Sequence, residues 1–250
     1  MSGWVVIAGL GPGSPDLVTP EVAAALAGAT DLVGYAPYLS RVAPQPGQIR
    51  HETDNREELD RARHALTLAA SGKRVVVVSS GDPGVFAMAS AVFEAVEAGP
   101  PDWRGLDIRV LPGVTAMLAA AARAGAPLGH DFCAINLSDN LKPWAVIEKR
   151  LSLAVRADFA IALYNPRSKA RPDGFGRALA LLRDRCEPGR VMIFARAVST
   201  PDESLRIVTL AEAMPGMADM RTVVLIGSAA TRIIPRAGMP FVYTPRSVPE

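Results

Sequence analysis

The chain has 250 residues, 49% of them hydrophobic and 21% charged, with a formal net charge of +2. That is the composition of one large or two small globular domains, and it excludes a disordered chain and a strongly basic nucleic-acid binder. No apolar run approaches the roughly 20 residues of a membrane span, and two cysteines with three histidines argue against a disulfide framework or a metal centre. The opening Met1-Ser2-Gly3-Trp4 carries no basic leader, so the expected location is cytoplasmic. Glycine and proline stand out at 21 each, about one residue in six, and their positions organise the reading.

Residues 4–10 read as a buried strand, followed by the loop Gly11-Pro12-Gly13-Ser14-Pro15. Thr19 has the place of an N-cap, with Pro20 at the first helical position and Glu21 in the first turn, so a helix continues through 22–27. Residues 31–34 form a short strand. Asn55 and Glu58 have the spacing of a capping box, opening a helix to Ala70 that Gly72 closes. Four successive valines mark a buried strand at 74–79, and Gly81-Asp82-Pro83-Gly84 leads into an apolar helix over 85–95. A strand at 107–111 follows. This alternation predicts a parallel sheet flanked by helices.

Pro112-Gly113-Val114-Thr115 opens an alanine-rich helix over 116–124. Strands are expected at 132–137, 159–164, 191–195, 205–209 and 222–226, helices at 143–154 and 174–185, and an extended tail from 235 to 250. Strands outnumber helices in this half, which points to a mixed sheet. The expected organisation is an N-terminal α/β domain over 1–112 and a C-terminal α/β domain over 113–250. Cys133 and Cys186 are expected to be buried, reduced and inert.

In parallel α/β sheets ligands bind beyond the carboxyl ends of the strands. Three Gly/Pro loops occupy such ends: Gly11-Pro12-Gly13, Gly81-Asp82-Pro83-Gly84 and Pro112-Gly113-Val114-Thr115. Any one of them is an ordinary turn; three together favour a binding site. The dinucleotide fingerprint fails, because Ser14 takes its third glycine position and no acidic residue ends the second strand. Ser71-Gly72-Lys73-Arg74 is not a phosphate-binding P-loop either. The expected ligand is a neutral or cationic small molecule held by backbone groups and one carboxylate, Asp82.

Val6-Ile7-Ala8-Gly9-Leu10-Gly11-Pro12-Gly13, Ser80-Gly81-Asp82-Pro83-Gly84-Val85 and Leu111-Pro112-Gly113-Val114-Thr115-Ala116 resemble, in order and spacing, the three loops of the S-adenosylmethionine-dependent tetrapyrrole methylases. Leu128-Gly129-His130-Asp131-Phe132, Leu137-Ser138-Asp139, Pro143-Trp144 and the run from Ala162 to Arg171 containing Tyr164-Asn165-Pro166-Arg167-Ser168-Lys169 resemble the branch that methylates precorrin-3B at C17 in cobalamin biosynthesis.

The resemblance implies two α/β domains with the active site in the cleft between them, and a homodimer. It implies S-adenosyl-L-methionine as methyl donor and S-adenosyl-L-homocysteine as product. Pro12, Gly81, Asp82, Val85, Thr115, Ala116, Asn165, Ala195 and Thr222 would hold the cofactor. The implied substrate is a macrocycle rich in acetate and propionate groups, for which Lys142, Arg167, Lys169 and Arg171 are the expected partners, with Arg150 nearby. Methylation at C17 with ring contraction to precorrin-4 moves protons, and His130, Asp131, Asp139 and Tyr164 are the candidates. No metal, membrane or nucleic-acid partner is implied. Methylation at C11 or C20, or a non-catalytic tetrapyrrole-binding module, are the alternative readings.

Overall fold

The computed structural model describes residues 3–54 and 57–247. The chain divides into two compact units, residues 1–115 and 116–250. Gly113 packs on the backbone of Gly9 and Gly81 within the first unit.

The first unit runs β1 (Trp4–Gly9), α1 (Pro20–Gly28), β2 (Asp31–Tyr35), α2 (Ala36–Leu39), β3 (Ile49–Thr53), α3 (Glu58–Ala70), β4 (Arg74–Ser79), α4 (Met88–Ala98) and β5 (Asp107–Leu111). Its five strands form one sheet in the order β3-β2-β4-β1-β5, every pair parallel. One face of the sheet packs Val5, Ile7, Val75 and Val77 against α3 and α4, and the other packs Val6, Ala8, Val76 and Val78 against α1. Burial on both faces explains why β1 and β4 are continuous apolar runs rather than alternating ones. Thr19 caps α1 by accepting the Val22 amide, and Gly72 closes α3 at φ +89°.

Three elements depart from expectation. Strand β3 was not foreseen: Ile49-Arg50-His51-Glu52-Thr53 has no apolar alternation because it is the sheet edge, tied to β2 by an Asp31–His51 pair and a Thr53 hydroxyl bond to the Gly34 carbonyl. Helix α4 starts at Met88 rather than Val85, since Phe86 adopts a left-handed φ of +54° and keeps Val85 in the loop. The Asn55 half of the expected capping box lies outside the described residues.

The second unit runs α5 (Ala116–Ala124), β6 (Gly125–Ala126), β7 (Phe132–Asn136), α6 (Trp144–Arg156), β8 (Ala160–Tyr164), α7 (Gly174–Arg185), β9 (Val191–Arg196), β10 (Ser204–Thr209), β11 (Thr222–Ile226), β12 (Arg232–Ile234) and β13 (Phe241–Tyr243). Its main sheet has the order β10-β9-β11-β8-β7 and is mixed: β7 and β8 are parallel, and the other pairs are antiparallel. Ile147, Leu151, Phe175, Leu179 and Phe194 centre one core, with Phe175 and Phe194 edge to face at 5.7 Å. Ala120, Ala121 and Ala124 of α5 cover the opposite face. The tail is not simply extended: β12, β13 and β6 make a small sheet that buries Val242 completely. Residues 248–250 lie outside the described part. Cys133 and Cys186 are half-buried rather than buried, and burial pushes both thiols up.

Candidate active site

The first unit builds its site from backbone. Because its strands are parallel, the carboxyl ends of β1, β4 and β5 share one edge, and the three glycine loops leave from it. Gly11 and Gly81 exchange backbone bonds: the Gly81 amide donates to the Gly11 carbonyl at 2.9 Å, and the Gly11 amide to the Gly81 carbonyl at 3.2 Å. Both sit near φ +65°, where glycine is favoured. The third loop comes equally close. A Cβ on Gly113 would lie 2.2 Å from the Gly81 carbonyl oxygen, so three backbone segments meet with no side chain between them.

Two side chains fasten this cluster. One oxygen of Asp82 accepts the Gly84 amide at 2.8 Å, and the other accepts the Gly113 amide at 3.0 Å. Asp82 therefore ties the second loop to the third. From outside all three motifs, Arg41 donates to the Leu10, Gly11 and Gly13 carbonyls at 2.6, 2.9 and 3.4 Å, and to the Ser80 hydroxyl at 3.1 Å. Burial lowers its pKa from the ordinary arginine value. Pro12 and Val85 are half-buried on the loops; Gly81 and Thr115 are buried.

In the second unit β8 and β9 both run antiparallel to β11, so the carboxyl ends of β7, β8 and β9 share an edge with the start of β11. Tyr164 ends β8, and its hydroxyl accepts the Met117 amide at 3.0 Å, at the start of the helix that Ala116 opens. Asn165 follows at φ +50° and donates its side-chain amide to Asn136 Oδ1 at 3.1 Å. Asn136 also accepts the Ser138 amide. At the end of β9, Ala197 and Ser199 both take left-handed φ values, a local strain that gathers at ligand sites. The Ser199 hydroxyl is buried with no partner among the described residues. Ala195 itself is fully buried in β9, paired with Leu205 and Val223, so its backbone serves the sheet. Thr222 is buried too and bonds Asp219 at 2.8 Å.

The cations gather at the same edge. Lys142 donates to the Ser138 carbonyl at 3.0 Å, and Arg171 lies 4.0 Å from Asp139. Burial pushes the Lys142 ammonium down, and the charges of Arg150 and Arg171 push it further against the opposing pull of Asp139. Such mutual repulsion is relieved when carboxylates arrive. Arg167 is half-buried and Lys169 exposed on the same loop. Trp144 is a packing residue, half-buried under Arg177 at 4.3 Å.

His130 and Asp131 are not brought to this edge. They precede β7, with Asp131 accepting the amide of Ala160 at the start of β8, so the length of a five-residue strand, about 16 Å, separates them from Asn136 and Asn165. Their ring and carboxylate are 3.7 Å apart and Asp131 is exposed. Of the four proton-transfer candidates, Asp139 and Tyr164 lie at the edge that carries Asn136 and Asn165, and His130 and Asp131 lie at the opposite ends of β7 and β8. The sequence reading missed Arg41, Asn136 and Ser199. Only Asn136, one residue before the Leu-Ser-Asp motif, carried a local signal.

The family model described as Tetrapyrrole (Corrin/Porphyrin) Methylases matches residues 5–214. The chain belongs to that family. A Sinorhizobium protein named Precorrin-3B C(17)-methyltransferase is 57% identical over 247 residues, covering 98% of this methylase and 97% of the relative. The crystal structure of the methyltransferase CobJ superposes with a TM-score of 0.93 at 68% identity, covering 98% of this chain and 100% of that one. A uroporphyrin-III C-methyltransferase from Thermus thermophilus, complexed with S-adenyl homocysteine, superposes at TM-score 0.68 and 23% identity over 90% of this chain and 92% of its own, a likeness of fold.

The methylase's own residues fit a sulfonium cofactor. The loops 11–14, 80–85 and 112–116 hold no lysine or arginine, and their one charge is the Asp82 carboxylate. Arg41 turns its cationic donors onto carbonyl oxygens of the first loop. This donor set suits a small cation lying along a backbone surface.

Proposed function

We propose that this methylase transfers a methyl group from S-adenosyl-L-methionine to C17 of precorrin-3B, with ring contraction to precorrin-4 and release of S-adenosyl-L-homocysteine. The observation that carries the reading is the meeting of the three glycine loops around Asp82, in a chain alike over its whole length to a protein named for this reaction. The same reading makes the protein a cytoplasmic homodimer.

When bound, S-adenosylmethionine supplies a methyl group already activated by the sulfonium. The protein's part is alignment, which contributes up to roughly 7–11 kcal/mol in well-oriented reactions. Pro12, Gly81, Asp82, Val85 and Thr115 line the first unit's surface for the methionine portion. Ala116, Asn165 and the backbone around Ala195 and Thr222 serve the nucleoside, with the turn after Ala195 offering the reachable groups. Lys142, Arg167, Lys169 and Arg171 take the acetate and propionate groups, and charge-assisted bonds to carboxylates orient the macrocycle. Tyr164 and Asp139 are the groups proposed to move a proton during contraction.

Purified protein incubated with S-adenosylmethionine and, in separate reactions, precorrin-3B or its cobalt-containing counterpart tests the reading. Precorrin-3B should yield a product heavier by one methylene unit. Methylation of a different precorrin alone, or pigment binding without turnover, would overturn it.

A further inference from the structure

We infer that Arg41 is a positioning residue for methyl transfer, a clamp that sets the shape of the first cofactor loop. The inference rests on the proposed reaction and concerns a residue outside all three loop motifs. Arg41 follows α2, where its own amide bonds the Tyr38 carbonyl at 3.1 Å and fixes the root of the side chain. From there one terminal nitrogen reaches three successive or near-successive carbonyls, Leu10, Gly11 and Gly13, and the other reaches Ser80 at the start of the second loop.

The geometry needs a guanidinium. Its donors spread over a rigid plane and address separate acceptors at once, whereas an ammonium is a single point charge. The group is half-buried, and among the described residues no ion pair is formed with it. A cation taken out of water and held by neutral carbonyls is costly unless those dipoles are well aimed. The first loop contains two glycines and crosses at Gly11 in a left-handed conformation, so few of its own side chains restrain it. Arg41 supplies that restraint, and through Ser80 it sets the first loop against the second, as Asp82 sets the second against the third.

The test is calorimetric titration of S-adenosylmethionine into wild type, Arg41→Ala and Arg41→Lys, with kcat and KM for precorrin-3B and thermal melting on the same samples. Arg41→Ala should raise the cofactor Kd about tenfold or more and lower kcat as well, since small misplacements near a reacting centre cost up to about 100-fold. Added guanidinium should restore part of the loss in Arg41→Ala, and Arg41→Lys should recover little. Cofactor Kd and kcat within twofold of wild type in folded Arg41→Ala would overturn the inference, even if melting fell. If Arg41→Ala does not fold, unchanged Kd and kcat in Arg41→Lys would overturn it equally. A wild type that binds no S-adenosylmethionine would refute the reaction instead, leaving the clamp without its purpose.

Discussion

The Asp82 carboxylate holds the Gly113 amide at 3.0 Å across 31 residues of sequence, while its second oxygen closes its own loop on Gly84. One side chain thus couples the second and third loops. Asp82, expected from the sequence to face the ligand, accepts backbone amides with both of its oxygens. Asp82→Ala removes two charge-assisted acceptors, each of the kind that contributes about 1.5–3 kcal/mol when well shielded; Asp82 is half-buried, so the lower part of that range applies. The expected outcome is a cofactor Kd raised about tenfold or more, read by titration calorimetry. Asp82→Asn, which keeps one acceptor, should fall between. An unchanged Kd in the folded Ala variant would count against the coupling.

Gly113→Ala tests the backbone contact itself. The new Cβ would stand 2.2 Å from the Gly81 carbonyl and 2.8 Å from that of Gly9, both backbone atoms that cannot rotate aside. Overpacking of this kind costs about 1–3 kcal/mol, measurable as a lower urea midpoint together with weakened cofactor binding. Gly28→Ala is the control, because its Cβ would meet nothing within 4 Å; its unfolding free energy should stay within about 1 kcal/mol of wild type.

The substrate patch separates from the cofactor site by kinetics. Lys142→Ala and Arg171→Ala should each raise the KM for precorrin-3B several-fold and leave the S-adenosylmethionine Kd unchanged. The loss should shrink as salt rises, since screening already weakens the wild-type contacts. Equal effects on both ligands would show a structural role instead.

How much of this was legible in the sequence depends on distance along the chain. The loops were legible because glycine and proline announce positions where backbone is shaped, and β1 and β4 because burial on both faces demands continuous apolar runs. Strand β3 was not, because an edge strand that carries Arg50, His51 and Glu52 has no apolar pattern to show. The Arg41 clamp was not, because its root and its targets are about 30 residues apart and an arginine beside a turn reads as a surface charge. The place of His130 was not legible for the reverse reason: it is near Asn136 in sequence, but the length of β7 lies between them.

The chain Asp31–His51–His64 predicts acid sensitivity of the first unit. His51 bonds buried Asp31 at 2.8 Å, and His64 bonds His51 at 2.9 Å. Burial alone would raise the Asp31 carboxyl, but hydrogen bonds from His51 and Thr30 outweigh it and hold the pKa below its ordinary value. A carboxyl depressed in this way adds stability above about pH 3.9 that is lost as pH falls through the folded pKa. His64 is held below the ordinary histidine value by burial and then by the charge of His51. The folded state therefore resists its protonation, and stability declines as pH falls through about 6.5. Both signs agree: the urea midpoint should drop from about pH 7.5 to about pH 5 and drop further below 4. His64→Gln should flatten the upper part of that curve and Asp31→Asn the lower part.

The central claim is the site of methylation, and carbon-13 NMR of the product made from precorrin-3B and S-adenosylmethionine labelled in its methyl group tests it most directly. The account predicts a single enriched methyl on C17 of a ring-contracted macrocycle. Enrichment at another carbon, C11 or C20 among them, or no enrichment at all while the pigment stays bound, would contradict it.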